Sequence, residues 1–137
     1  MSSKQLSAGN NSLDKQSSFA YLAKNANEQF IKQDVRLREL GSNDVLIKIS
    51  HCGLCYSDYI LWKGDYGDDV FPRAFGHELV GVIESVGGDV KHLAVGQRVG
   101  LGWQEDSCGS CEWCQTGHEN VCGDKSLTCV HDNGGFA

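Results

Sequence analysis

Four closely spaced cysteines constrain the fold of this chain more than any other feature. Two residues separate Cys108 from Cys111 and Cys111 from Cys114, and Cys122 follows after seven more. A spacing of two allows a tight turn to point two sulfur atoms at one position, and a tetrahedral zinc ion needs four soft donors at about 2.3 Å. We therefore predict a projecting four-cysteine zinc lobe over residues 105–124.

Four thiolates leave no open coordination position, so this site is expected to stabilise the fold and to do no chemistry. Two alternatives stay open: a redox role, as disulfides or a reactive cysteine pair, and an iron–sulfur cluster, which also uses four thiolates. The chain has seven cysteines, an odd number, so a fully paired disulfide framework is impossible. Cys52 and Cys129 lie outside the spacing, and we interpret both as small buried hydrophobic residues.

Composition excludes two classes of partner. The 137 residues carry 12 basic and 18 acidic side chains with no basic cluster, which argues against a nucleic-acid surface. No stretch approaches the roughly 18 apolar residues of a membrane helix, so we expect no membrane partner. Residues 1–18 are polar, without a signal-peptide core, and are predicted to be a disordered tail. We expect a cytoplasmic protein, because in a reducing compartment clustered cysteines more often bind metals than form disulfides.

Alternating apolar and polar residues predict a mainly β fold in one domain over residues 19–137. Glycine accounts for 17 of the 137 residues, above the usual level of about 7%, as expected for bulges and barrel corners. One short segment, 57–62, looks helical, and no glycine-rich βαβ unit is present. A small, partly open barrel is predicted. Strands are expected at 33–38, 45–49, 79–86 and 95–103, with a turn at 41–44 between the first two.

A second set of polar residues falls in two separate segments, 51–58 and 76–81. Cys55 and His77 could each bind a metal, but their spacing alone does not bring them together. Ser57 and Asp58 would, by themselves, be better explained as caps of the short helix.

Together with the cysteine lobe, and in this order, the two segments resemble the zinc-dependent medium-chain alcohol dehydrogenases, in particular the cinnamyl-alcohol-dehydrogenase-like branch. The resemblance extends from about residue 30 to the C-terminus and includes the turn at 95–99 and the Gly-Gly-Phe-Ala run at 134–137. It implies a GroES-like partly open β-barrel with a projecting zinc lobe. It also implies NAD(P)-linked interconversion of small-molecule alcohols and aldehydes.

The resemblance assigns roles position by position. Cys55 and His77 match the first two protein ligands of a catalytic zinc, and Glu78 matches a carboxylate that can approach the metal. Ser57 matches the hydroxyl that takes the proton of the bound alcohol, and Asp58 matches the carboxylate that orients the ligating histidine. Two zinc ions per chain are therefore expected, one in each site.

Some parts of the family pattern are not found in the sequence. The third ligand of the catalytic zinc and the Rossmann domain that binds NAD or NADP are missing, so we expect a truncated or partial chain that is inactive alone. Tyr59, Ile60 and Leu61 follow Asp58 where many members carry a histidine, so that step of the proton relay must be absent or run through water. A homo-oligomer is expected of the full-length form. The alternative is a standalone zinc-binding module of GroES-like fold, without catalysis.

Overall fold

The structure, a computed structural model, describes residues 17–67, 70–130 and 134–136. Within these ranges no helix has the length and apolar character needed to cross a bilayer. The elements that lie wholly within the described ranges are two α-helices, a 3₁₀ turn at Glu119–Val121 and seven strands. In chain order the elements are β1 Ser17–Leu22, β2 Ile31–Arg36, β3 Val45–Cys52, α1 Tyr56–Lys63, β4 Leu79–Val86, β5 Arg98–Leu101, β6 Gln104–Asp106, α2 Glu112–Gln115 and β7 Ser126–Leu127.

The strands form three small antiparallel sheets. β1 pairs with β2, β4 lies between β3 and β5, and β6 pairs with β7. The prediction of a mainly β chain is thereby confirmed, although the described strands do not close into a barrel. β3 has two register shifts against β4, between Leu46 and Ile47 and between Ile49 and His51, and such irregularities bend a strand.

Two predicted elements are confirmed, and two others differ from the prediction in their pairing or their bounds. β4 covers the expected residues 79–86, and α1 contains the expected helical segment. The turn at 41–44 forms, but it joins strands of different sheets, because β2 pairs with β1 and β3 pairs with β4. The strand expected at 95–103 forms over Arg98–Leu101, where it pairs with β4, and the backbone of Gly96 and Gln97 also hydrogen-bonds to Ile83.

The start of β1 corrects the boundary predicted for the terminal tail. Ser17 and Ser18 belong to the strand, because they face Arg36 and Val35 across the β1–β2 ladder. Composition could not reveal this pairing, since the partners are distant in sequence. Residues 1–16, the rest of the predicted tail, lie outside the described residues.

The core lies between the β1–β2 hairpin, α1 and the chain around residue 75. Its most buried members are Ala23, Leu61, Phe75 and Cys129, none of which exposes any surface. The segment 134–136 completes this region. Its backbone amides donate to the carbonyls of residues 74–76, and the Phe136 carbonyl accepts the N–H of Tyr21 in β1.

Helix α1 has well-defined ends. At its N-terminus the Asp58 carboxylate accepts the Cys55 backbone N–H at 2.9 Å, which satisfies an amide that the helix leaves free. At its C-terminus Gly64 adopts φ 85°, a left-handed conformation that glycine reaches at little cost. These ends fix the first turn, which carries Ser57 and Asp58 next to Cys55.

Candidate metal centres

The four lobe cysteines converge on one position. Their sulfur atoms all lie within 4.8 Å of one another. The sulfurs of Cys111 and Cys114 are 3.5 Å apart, and those of Cys108 and Cys114 are 3.9 Å apart. Four sulfurs at about 2.3 Å from a tetrahedral zinc ion would be separated by about 3.8 Å. The donor set and its spacing therefore fit zinc.

Contacts within the lobe change the pKa values of two of its thiols. The backbone N–H groups of Ser110 and Cys111, together with the Ser110 hydroxyl, lower the pKa of Cys108 to about 6. The Cys114 amide lowers the pKa of Cys111, but burial and hydrogen bonds with the other thiols outweigh it and raise that pKa to about 11. Hydrogen bonds from N–H groups favour a thiolate, whereas further negative charge in the cluster needs a positive ion to balance it.

Little apart from the cysteines holds the lobe together. Apart from the end of β6, its regular structure is the single turn of α2 and the 3₁₀ turn, and neither of these turns contains a buried residue. Trp113 is 51% exposed and Val121 is 48% exposed, whereas Cys122 is completely buried. A loop with so few buried apolar contacts needs a cross-link or a metal to stay ordered.

A second donor set joins the two segments that sequence spacing could not connect. Ligand atoms of Cys55, His77 and Glu78 lie within 4.8 Å of one another. Cys55 precedes α1 and the other two residues precede β4, so the antiparallel pairing of β3 with β4 brings the segments together. The thiol is partly buried, the imidazole is buried and the carboxylate is exposed. Among the described residues three donors converge here, so this site, unlike the lobe, would leave a coordination position open, and its sulfur, nitrogen and oxygen donors fit zinc.

The imidazole of His77 has a defined orientation. Its Nε2 atom lies 3.2 Å from the Ser57 hydroxyl oxygen, and that oxygen is also 3.2 Å from the Cys55 sulfur. Its Nδ1 atom lies 3.3 Å from Asp58 Oδ1. A proton on Nδ1 pairs with the carboxylate and leaves the Nε2 lone pair directed toward Cys55, the arrangement usual for metal-binding histidines. The Trp103 ring packs against the imidazole edge-on, with centroids 4.8 Å apart.

Sequence reasoning missed one neighbour of this site. Cys129 is fully buried, as predicted, but its sulfur lies 3.9 Å from His77 Nδ1. Burial, and to a smaller extent the charge of Asp58, raises the pKa of this thiol to about 12, so it stays protonated. Cys52 departs from the prediction in another way, because it is only partly buried. The one sequence signal for Cys129 is its position a few residues after the lobe, which does not indicate proximity to His77.

An apolar cleft of about 530 Å³ opens beside Cys55. Tyr56, Tyr59 and Trp62 lie at i, i+3 and i+6 of α1, with successive ring centroids 5.7 and 5.9 Å apart. Phe30 and Phe136 form further walls of the same cleft. An apolar compound could therefore lie against these rings with a polar end near the second donor set.

The fold and the two donor sets together describe a β domain with four clustered thiols and a second, three-residue group, each of which could hold a metal. Residues 41–137 match the family model described as the alcohol dehydrogenase GroES-like domain. The chain belongs to this family.

Proteins of similar sequence support the family assignment. The aldehyde reductase AdhA of Synechocystis is 37% identical over 117 residues, which are 85% of this chain and 35% of the relative. A putative cinnamyl alcohol dehydrogenase of Oryza sativa is 45% identical over 85 residues, which are 62% of this chain and 24% of the relative. The chain thus spans about a third or less of the length of these relatives.

Solved structures agree with the fold. A cinnamyl alcohol dehydrogenase from Sorghum bicolor superposes with a TM-score of 0.81 at 36% identity, covering 88% of this chain and 37% of that one. The cinnamyl alcohol dehydrogenase of Helicobacter pylori, solved in complex with NADP(H), gives a TM-score of 0.82 at 29% identity and covers the same shares.

Proposed function

We propose that this chain forms the metal-binding part of a zinc-dependent oxidoreductase that interconverts small-molecule alcohols and aldehydes with NAD(P). The observation that carries the proposal is the convergence of Cys55, His77 and Glu78 within 4.8 Å, beside an apolar cleft. A domain that only needed a structural metal would have no use for this second, more open donor set.

Each side chain around the second site has a proposed task. Cys55 and His77 would hold the zinc, and Glu78, exposed at the edge of the site, would approach or leave the metal as a ligand exchanges. Zinc with an open position supplies Lewis-acid chemistry, which polarises a carbonyl or lowers the pKa of an alcohol. Ser57 Oγ lies next to both the thiol and Nε2, where it can accept the proton of an alcohol. Asp58 keeps the His77 proton on Nδ1.

We propose that the four lobe cysteines bind a separate, structural zinc, giving two zinc ions per chain. Relatives are about three times as long as the stretch they share with this chain, and one of them was solved with NADP(H). We therefore expect cofactor binding and turnover to require a nucleotide-binding region, and we expect the 137 residues alone to be inactive. Oligomers would belong to such a longer form. The seven free thiols suit a reducing, cytoplasmic location.

Zinc stoichiometry separates this proposal from a standalone zinc-binding module. We expect two zinc equivalents per chain by mass spectrometry under native conditions and by elemental analysis. His77→Ala should lower the content to one, and Cys111→Ser should remove the other equivalent. His118→Ala, which changes an exposed histidine outside both donor sets, is the matched control and should retain two. One equivalent in the unchanged protein, lost only with Cys111→Ser, would favour the module without catalysis.

A further inference from the structure

Cys129 combines full burial with an unfavourable backbone conformation. Its φ of 60° lies in the left-handed region, which residues other than glycine, asparagine and aspartate seldom adopt. Such a conformation persists only where the surrounding structure imposes it, and residues of this kind concentrate at functional sites. In this conformation the thiol of Cys129 lies against the imidazole of His77.

Two groups lie at Nδ1 of that imidazole, and a third packs against the ring. Asp58 Oδ1 is 3.3 Å from Nδ1, the Cys129 sulfur is 3.9 Å from it, and the Trp103 ring packs edge-on against the imidazole. Asp58 cannot follow a moving ring, because the backbone amides of Cys55 and Gly76 each hold one of its oxygens at 2.9 Å. The alignment of His77 with Asp58 therefore depends on what keeps the ring in place.

We infer that Cys129 is a positioning residue for His77: its thiol closes the Nδ1 edge of the imidazole and keeps the ring proton on Nδ1, facing Asp58. The Nε2 lone pair then stays directed toward Cys55. The inference rests on the proposed role of His77 as a metal ligand. Without the thiol the ring can tilt into the space left behind, away from Asp58. The proton can then move to Nε2, where Ser57 Oγ at 3.2 Å accepts it.

Two substitutions separate positioning from stability. Cys129→Ala removes the thiol and keeps the strained backbone, whereas Cys129→Gly removes the thiol and relieves the strain. Long-range ¹H–¹⁵N NMR on the chain loaded with one zinc equivalent reports which nitrogen of His77 carries the proton. We expect the Nδ1–H form in the unchanged protein and a shift toward Nε2–H in both variants. Zinc titration should show affinity at the second site reduced about tenfold in both.

Two further variants serve as controls for these substitutions. Cys129→Ser keeps a small polar group beside Nδ1 and should retain the Nδ1–H form, and His92→Ala, which changes an exposed histidine outside both donor sets, should leave His77 unchanged. The inference is overturned if the alanine and glycine variants both keep the Nδ1–H form, or if the loss of zinc affinity follows denaturant stability and is restored by glycine. A single zinc equivalent in the unchanged protein would count against the proposed function, and the NMR result would still decide the role of Cys129.

Discussion

Asp58 illustrates how much one buried side chain can organise. Its two oxygens accept the backbone N–H groups of Cys55 and Gly76, and one of them also faces His77. It therefore holds the start of α1, the chain before β4 and the imidazole in one arrangement. The helix-capping and orienting roles considered from the sequence are compatible, because the two oxygens face different elements.

Asp58→Asn should disturb both stability and metal binding. The amide that replaces the carboxylate has one acceptor oxygen, so a buried backbone N–H or the His77 N–H loses its partner, at a cost of about 1–3 kcal/mol. We expect a lower denaturation midpoint and zinc affinity at the second site weakened 10–100-fold, measured by urea unfolding and zinc titration. Asp34→Asn, on the exposed part of β2, is the control and should change neither. An unchanged zinc affinity in Asp58→Asn would contradict the orienting role.

Asp44 provides a pH-dependent contribution at the turn before β3. Hydrogen bonds from Arg38 and from the Gly41 backbone lower its pKa below the ordinary value of 3.8. A carboxyl group whose pKa is lower in the folded state stabilises the fold above pH 3.8, and this contribution disappears as the pH falls through the folded-state pKa. We expect Asp44→Asn to be less stable at pH 7 by under about 1 kcal/mol, because the pair is partly exposed.

Measuring the same stability difference at lower pH tests whether the charge of Asp44 stabilises the fold. The difference between Asp44→Asn and the unchanged protein should shrink in acid, and high salt at pH 7 should also reduce it. Urea midpoints between pH 2 and 7 measure both effects. A difference that stays constant across this range would assign the effect to turn geometry and not to charge.

At the scale of elements, the segment 134–136 packs closely against the backbone of residues 75–76. A Cβ atom on Gly134 would lie 2.4 Å from the Gly76 carbonyl oxygen and 2.5 Å from that of Phe75. Backbone atoms cannot move aside without disturbing the core. The glycine is therefore required by close approach of two backbones.

Gly134→Ala should thus destabilise the domain by about 1–3 kcal/mol through overpacking. Gly88→Ala is a matched control, because a Cβ there meets nothing within 4 Å, and its stability should stay equal or rise slightly. Thermal and urea unfolding of the two variants measure the contrast. Equal midpoints for both would mean that the chain near residue 134 moves freely away from the core.

If the proposed structural zinc keeps the lobe ordered, removing it should unfold the lobe while the sheets stay folded. Its short helical turns bury none of their residues, so removal of zinc with a strong chelator should abolish amide protection over residues 105–124. Protection in β3, β4 and β5 should remain, because backbone pairing and the core hold them. Hydrogen exchange with mass spectrometry follows both regions. Protection of the lobe that survives chelation would indicate another cross-link, such as disulfides.

Elements with local sequence signals could be predicted, and those that depend on distant partners could not. The lobe follows from cysteine spacing, and β4 follows from its alternating residues. The sequence pattern indicated β1 only weakly, because the pairing of this strand with β2 and with Phe136 is not local. For the same reason spacing could not join Cys55 to His77. The family resemblance supplied that pair, and no pattern indicated Cys129, whose contact with His77 arises only in the folded chain.

For the whole molecule, the difference in length between this chain and its relatives determines which activities we expect of it. The chain covers 35% of one relative and 24% of another, so the activity of those relatives involves far more polypeptide than the part shared here. We expect calorimetry to detect no NADH or NADPH binding to the 137-residue chain, with or without zinc. Tight binding of either would show that these residues carry a nucleotide site of their own and would refute the proposed division of labour.

The hydrogen bond between Tyr21 and Phe136 has a consequence for biosynthesis. On the ribosome the first strand emerges early, whereas the residues that complete its surroundings are translated more than a hundred codons later. Until residue 136 has emerged, the nascent chain therefore lacks this partner for Tyr21 and leaves the neighbouring apolar residues exposed, the kind of surface that chaperones bind. Synonymous codons that slow synthesis just before residue 134 would lengthen that exposure without altering the amino-acid sequence.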